Sequence, residues 1–430
     1  MSAPEATLPA RLQVLLVSPM APSPPRCGAQ ARTHGLLSNL AAGHDVSALI
    51  LHEDDETPGT SAPAMRSYCR EVTFVRNPNV ATGWRRRALQ VRSWLSRRSY
   101  QRHHFAVPAF QEALDGVLRS RHFDVVFVNF PYLAHYVLRG SQPGSAAPAV
   151  VIDTHDVNYD LARQVAASSA PLGHRLHARL NWRKLAREEL AVYTAADGVC
   201  VCSSADQKRL AADAPSATTV VIPNAADVEY LQPRASDPAP DGCTVLFFGL
   251  LATVPNVDGV LYFLREIWPL IAAARPDARF VVIGARPTPA ILAHAGPRVS
   301  ILGPVDDLRP HLSSASVIVV PLRLGSGTRL KILEAWAMAR PVVSTALGAE
   351  GLECVPGRDL LIADNPADFA HSVLRILSER GLADELGRAG RALVSERYSW
   401  RGAAGALEAF FKHVLARRRA APQPQRGLTS

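Results

Sequence analysis

The 430-residue chain is poor in several features that would assign it quickly. Its apolar runs stop short of the roughly 18 residues that cross a bilayer, so no membrane span is expected. A secretory leader is not expected either. Glu5 stands where a leader carries positive charge, and the apolar run Leu12 to Val17 has strand length and ends at Ser18-Pro19. The six cysteines show no metal-ligand spacing, and Cys200 and Cys202 lie inside an apolar run, so they read as packing thiols rather than a disulfide framework. Lysine is scarce, occurring only at 184, 208, 331 and 412, so arginine carries the net charge of +9. Acidic residues are missing altogether between Glu71 and Glu112. No Asp-x-Asp metal motif stands at a strand end, and no metal is expected. The compartment these absences point to is the cytoplasm.

What is present is a repeated alternation of apolar strands and helices. Strands are expected near 12–17, 46–51, 72–75, 124–128, 150–153, 198–202 and 219–222. A Pro-, Asp- and Ser-rich segment, 233–242, then interrupts the pattern as a linker. The alternation restarts with strands near 245–248, 279–284, 299–302, 317–322 and 341–344, and ends with helices over about 366–395 and 401–417. Continuous apolar strands separated by helices predict parallel sheets covered on both faces. The division expected is an N-terminal domain 1–232, the linker, a C-terminal domain 243–399, a helix 400–417 packing back on the first domain, and a disordered tail 418–430.

The most informative stretch follows the strand at 317–322. The turn Gly325-Ser326-Gly327-Thr328 is expected to open a helix near 328, aiming backbone N–H groups and the positive helix end at an anion. Arg329 and Lys331 add cations where a helix start prefers acids, which an anionic ligand such as a diphosphate would offset. Glu334 follows, able as a carboxylate to accept two hydrogen bonds from a ribose diol. Pro341 to Thr345 and the loop containing Gly348 and Gly351 supply a second strand and Gly-rich turn beside the first. A capped helix behind a buried strand is the alternative reading of this block.

The block resembles the C-terminal half of retaining glycosyltransferases of family 4 (glycosyl transferases group 1). That resemblance implies an α/β protein of the GT-B fold, with two Rossmann-like doubly wound domains facing across a cleft. It implies transfer of a sugar from a nucleotide-diphosphate sugar to an acceptor hydroxyl with retention, without a metal or other cofactor. Glu334 matches the second of the family's two glutamates, which holds the nucleotide ribose, while Ser326 replaces the first. After the first strand of the C-terminal domain, Leu251 to Pro255 replace the family's basic residues and Gly249 is kept. The diphosphate is therefore expected on Arg329 or Lys331, and Asn256 and Asp258 are expected to cap the next helix.

In the N-terminal half, Pro22 to Ala29 resembles the family's first loop, with Gly28 alone remaining of a glycine pair. The run VVIDTHDVN places Asp153, His155 and Asp156 at a strand end, and His155 matches a histidine close to the reacting sugar. Asn129 to Tyr132 ends another strand and is expected in the same cleft, and Pro223 to Asp227 matches a signature read as structural. Residues 84–105 hold seven arginines and two tryptophans, and Trp84, Val91, Trp94 and Leu95 can share one helical face. Trp84, Arg85, Arg86, Arg87 and Trp94 are thus candidates for an anionic membrane surface at its inner face or a lipid-linked acceptor. A solvated basic surface is the alternative. Nucleic acid is not expected as a partner, since no recognition module accompanies the patch. The expected partners are a nucleotide-sugar donor and a carbohydrate or lipid-linked acceptor, in polysaccharide or glycolipid synthesis. A sugar-nucleotide epimerase of the same architecture and a non-catalytic glycosyltransferase-like binding protein remain open.

Overall fold

The computed structural model describes residues 9–53, 57–79, 83–138, 147–168, 171–234 and 236–420. Glu5 and residues 421–430 of the expected tail lie outside them. Two compact units form. The first takes Met1–Ala166, Leu172–Ile222 and Ala403–Ser430, and the second takes Pro223–Gly402 with Ala167–Pro171.

In the first unit the strands are β1 (Gln13–Ser18), β2 (Asp45–His52), β3 (Glu71–Arg76), β4 (Val125–Asn129), β5 (Ala149–Thr154), β6 (Gly198–Val201) and β7 (Thr219–Val221). They form one sheet in the order β3-β2-β1-β4-β5-β6-β7, with every pairing parallel. The central strands are buried along almost their whole length, β4 and β5 completely, because helices cover both faces. The long helix Leu172–Ala195, for which the sequence shows no single apolar stripe, joins the core through Leu185 and Tyr193. The helix Trp400–Ala420 closes the other side. Phe411 packs edge-on against Phe127 at 5.5 Å, and Phe410 fills the space beside Gly198 that a side chain would need. Residues 418–420, expected in a disordered tail, are its last turn, and Arg418 there pairs with Asp197 at 2.7 Å.

The second unit contains β8 (Thr244–Phe248), β9 (Arg279–Ile283), β10 (Val299–Leu302), β11 (Val317–Val320), β12 (Val342–Ser344) and β13 (Leu361–Ile362). They form a second all-parallel sheet, ordered β10-β9-β8-β11-β12-β13. Its largest buried side chain, Trp336, donates to the Asp359 carbonyl at 3.0 Å and lies against Gly390. That close approach clamps the helix Leu330–Ala337 onto the helix Arg380–Arg397. Each sheet reverses its strand order once, at β1/β4 and at β8/β11. Such a reversal leaves a crevice at the carboxyl ends of the strands, where ligands of open α/β sheets bind.

Candidate functional site

At the β8/β11 reversal, residues singled out independently in the sequence converge. Gly249 directly follows β8 with φ of +148°, and a Cβ there would lie 3.1 Å from Lys331 Nζ and 3.2 Å from Asn256 Nδ2. Only glycine keeps both the backbone angle and the space. A side chain on Gly284, at the end of β9, would collide with the Gly249 carbonyl, so the two loops are pressed together. Sequence reading missed Gly284, although it ends an apolar strand as Gly249 does. Lys331 Nζ donates to Asn256 Oδ1 at 2.9 Å and sits 4.0 Å from the centre of the Phe247 ring.

Asn256 therefore does not cap the helix Val254–Tyr262 as expected. Its amide donates to the Leu250 carbonyl at 2.9 Å while its oxygen holds Lys331. Nor does Asp258, which accepts two hydrogen bonds from Arg323 at 2.9 and 3.1 Å. Thr253 occupies the cap position instead.

The turn after β11 differs in detail from the expectation. The helix begins at Leu330 with Arg329 as its cap residue, rather than near 328. The Arg329 guanidinium lies over Gly325, whose φ is +144°, and donates to the carbonyls of Ser326 and Gly327, the latter at 3.0 Å. Arg329 thus braces its own turn. Ser326 is buried, and Thr328 accepts from Asn224 Nδ2 at 2.8 Å through its hydroxyl. This bond ties the Pro223–Asp227 segment to the turn within the same unit. Gly348 and Gly351 follow β12, at the same sheet edge. Gly348 N donates to Thr345 Oγ1 at 2.9 Å, and Gly351 has φ of +81°.

Two opposed titrations mark this edge. Burial pushes the Lys331 ammonium down to about 7, with the nearby Arg329 charge acting in the same sense. Burial also pushes the Glu334 carboxyl up to about 7, against the pull of Lys331 one turn earlier on the helix. Both side chains keep partial solvent contact. Near neutral pH each sits where a small change in surroundings decides its charge, as groups at functional sites often do.

The first unit holds a different arrangement at its β1/β4 reversal. Gly28 starts the helix Gly28–Leu40, and one turn along it Arg32 is buried at 1% exposure. Arg32 grips Asp153 at the end of β5, with Nη2 to Oδ1 at 2.7 Å and Nε to Oδ2 at 3.1 Å, and donates through Nη1 to the Ile222 carbonyl at 2.9 Å. Burial would raise the Asp153 pKa, but Arg32 outweighs it and leaves the carboxyl below its usual range. His155 Nε2 lies 3.2 Å from Asp153 Oδ2. Burial pushes the imidazole down to about 4, with the Asp153 charge opposing and Arg32 assisting, so the ring is neutral at pH 7.

A ladder of four rings fixes that imidazole. Phe130, at φ +67°, stacks on His155 at 4.3 Å and 13°, Tyr132 on Phe130 at 5.2 Å, and Phe105 on Tyr132 at 4.4 Å. Asn129 donates to Thr33 Oγ1 at 2.7 Å and Ser18 Oγ at 3.3 Å, joining β1, β4 and the first helix. The sequence indicated Asn129 to Tyr132 and His155 but carried no sign of Arg32, whose partner is 121 residues away.

The basic stretch 84–105 is not one helix. Gly83–Trp94 and Tyr100–His104 are separate helices, and Trp84, Arg85, Arg86, Arg87 and Trp94 are all exposed on the first. Among the described residues no helix is long and apolar enough to cross a membrane, and no group of three or more His, Cys, Asp or Glu could hold a metal ion.

Two parallel sheets, each with one order reversal and a polar cluster at its carboxyl edge, define the GT-B architecture. The family model for Glycosyltransferase Family 4 matches residues 26–230, and that for Glycosyl transferases group 1 matches residues 242–379. The chain belongs to this family of glycosyltransferases. It is 28% identical over 141 residues to an uncharacterized 44.6 kDa protein in the cps region of Klebsiella pneumoniae, covering 31% of this chain and 36% of that one. It is 29% identical over 196 residues to the D-inositol 3-phosphate glycosyltransferase of Acidothermus cellulolyticus, covering 42% and 43%. The chain thus spans less than half the length of these curated relatives. The fold is shared with sucrose-phosphate synthase from Thermosynechococcus elongatus, with a TM-score of 0.72 at 20% identity over 94% of this chain and 100% of that one. It is also shared with Anabaena HepE, solved with UDP-glucose, with a TM-score of 0.67 at 14% identity over 93% and 100%.

Proposed function

We propose that the chain transfers a sugar from a nucleotide-diphosphate sugar to an acceptor hydroxyl, with retention at the anomeric carbon and without a divalent metal. The observation that carries this is the meeting of Gly249, Asn256, Lys331 and Glu334 at the β8/β11 reversal. The glycine loop admits a diphosphate close to the backbone. Lys331, oriented by Asn256 and the Phe247 ring, stabilises the charge that develops on the departing diphosphate, often the largest single contribution to catalysis. Glu334, one turn further, accepts from the ribose hydroxyls. The binding of UDP-glucose by HepE, which has the same fold, supports a nucleotide-sugar donor.

His155 serves the reacting sugar as a neutral hydrogen-bonding group, held by the ring ladder. Acceptor binding falls to the N-terminal unit, and the product belongs to polysaccharide or glycolipid synthesis. Arg329 has a supporting role here, since its guanidinium is engaged by its own turn. Within that reading Lys331 is the principal diphosphate cation.

A melting-temperature panel of UDP-, GDP- and ADP-sugars, with and without EDTA, tests the reading. One nucleotide family should raise the melting temperature equally in both conditions, and the Glu334→Ala variant should lose most of that rise. No shift with any nucleotide, or a shift abolished by EDTA, contradicts it.

A further inference from the structure

Exposed apolar side chains are concentrated on one face of the first unit. Of the eleven large hydrophobic side chains exposed among the described residues, seven lie on two neighbouring helices and the turn that follows one of them. The helix Gly83–Trp94 and the turn after it contribute Trp84 at 75% exposure, Val91, Trp94 and Leu95 at 86%. The helix Leu172–Ala195 contributes Leu172 at 76%, Leu176 and Leu180. Their spacing of four residues places the three leucines in one row along that helix.

The two stretches are held side by side. Trp94 Nε1 donates to His177 Nδ1 at 3.2 Å, and Lys184 Nζ donates to the Ser93 carbonyl at 2.5 Å. Both stretches are also free of acids. No Asp or Glu occurs from 72 to 111, and none from 161 to 187. Glu188 comes next, and it is used internally, accepting from Ser99 N at 3.0 Å. The fold therefore brings two acid-free, arginine-rich segments together and leaves Trp84, Trp94, Leu95 and the three-leucine row exposed among the arginines.

We infer that this two-helix face docks onto an anionic lipid bilayer surface. Large exposed apolar side chains suit the acyl boundary, and tryptophan suits the headgroup level. The surrounding arginines meet anionic headgroups, each contributing about fivefold to affinity near the surface. A site for free phosphate would need arginine but no leucine row, and the acid-free flanks on both helices match the uniform negative charge of a headgroup surface. This inference stands independently of the donor-site reading.

Flotation of the full chain with vesicles tests it, using phosphatidylcholine alone and phosphatidylcholine mixed equally with phosphatidylglycerol. Binding should require the anionic lipid and should weaken with added salt. Replacing Arg85, Arg86 and Arg87 with Ser should weaken it by roughly a hundredfold. The triple variant Leu172→Ser, Leu176→Ser, Leu180→Ser should weaken it by roughly tenfold or more, with melting temperature and nucleotide binding unchanged. Equal binding to both vesicles, no binding to either, or unaltered binding by the leucine variant overturns the proposal. So does a face that dimerises the chain, or binds a single-stranded oligonucleotide, while ignoring anionic vesicles.

Discussion

The two sheet reversals occupy the same topological position and solve opposite electrostatic problems. At β1/β4 the charges are mutually satisfied: Arg32 and Asp153 are fully buried as a pair, and His155 beside them is held neutral. At β8/β11 the charges are poised: Lys331 is pushed down and Glu334 up, both to about 7. A satisfied cluster sets geometry, whereas a poised one responds to a ligand. Under the proposed donor reading, the first cluster positions groups and the second recognises the nucleotide.

The largest expected effect breaks the satisfied side. Arg32→Ala leaves Asp153 buried without its cation, which should cost about 3–5 kcal/mol of stability. Denaturant unfolding monitored by tryptophan fluorescence measures this, and a loss below about 1 kcal/mol would show the pair to be dispensable. Next, Lys331→Ala should weaken binding of the nucleotide diphosphate by roughly 10- to 150-fold, from the usual worth of a hydrogen bond to a charged group. Titration calorimetry checks it, and wild-type affinity would end the assignment of Lys331 as the diphosphate cation.

The pH dependence sharpens the contrast. A bound diphosphate favours protonated Lys331, and ribose hydroxyls favour ionised Glu334. Affinity should therefore peak near pH 7 and fall on both sides, above it as Lys331 loses its proton and below it as Glu334 gains one. The first unit should respond in one sense only. With His155 lowered to about 4 from 6.5 and Asp153 also lowered, their stabilisation is complete above about pH 6.5 and is lost as pH falls through 4. Calorimetric affinity measured from about pH 6 to about pH 9 decides the first point, and a flat profile contradicts it. The smallest effect is on Asn256→Ala, which should weaken nucleotide binding only about fivefold by releasing Lys331. An effect as large as that of Lys331→Ala would place Asn256 on the ligand itself.

Most strands of both sheets were legible because buried parallel strands are short uninterrupted apolar runs. β13 was not, since Leu361–Ile362 is two residues long and gives no period to read. The helix Leu172–Ala195 escaped for a different reason. Its buried positions Ala178, Asn181, Leu185, Glu189 and Tyr193 include the polar Asn181 and Glu189, while three leucines face outward, so no apolar stripe stands out. Of the candidate site, the glycine turns and Glu334 were visible as local patterns. The pairs Arg32–Asp153 and Asn256–Lys331 span 121 and 75 residues, and such partners are assembled only by the fold. Asn256 was assigned to a helix cap because its local context offered that role, whereas the distant ammonium claimed it.

The return of the helix Trp400–Ala420 to the first unit makes that unit discontinuous along the chain. The main body of the second unit, Pro223–Gly402, is then an insert, with both its entry and its exit leading into the same host. One cut between Ile222 and Pro223 yields two fragments, and the one ending there lacks the wall that Phe410 and Phe411 provide beside Gly198 and Phe127. Expressing the second unit alone takes two cuts. Expressing the first takes a short bridge from Ile222 to Ala403, and a nascent chain completes its first sheet's covering only after the last helix has been made.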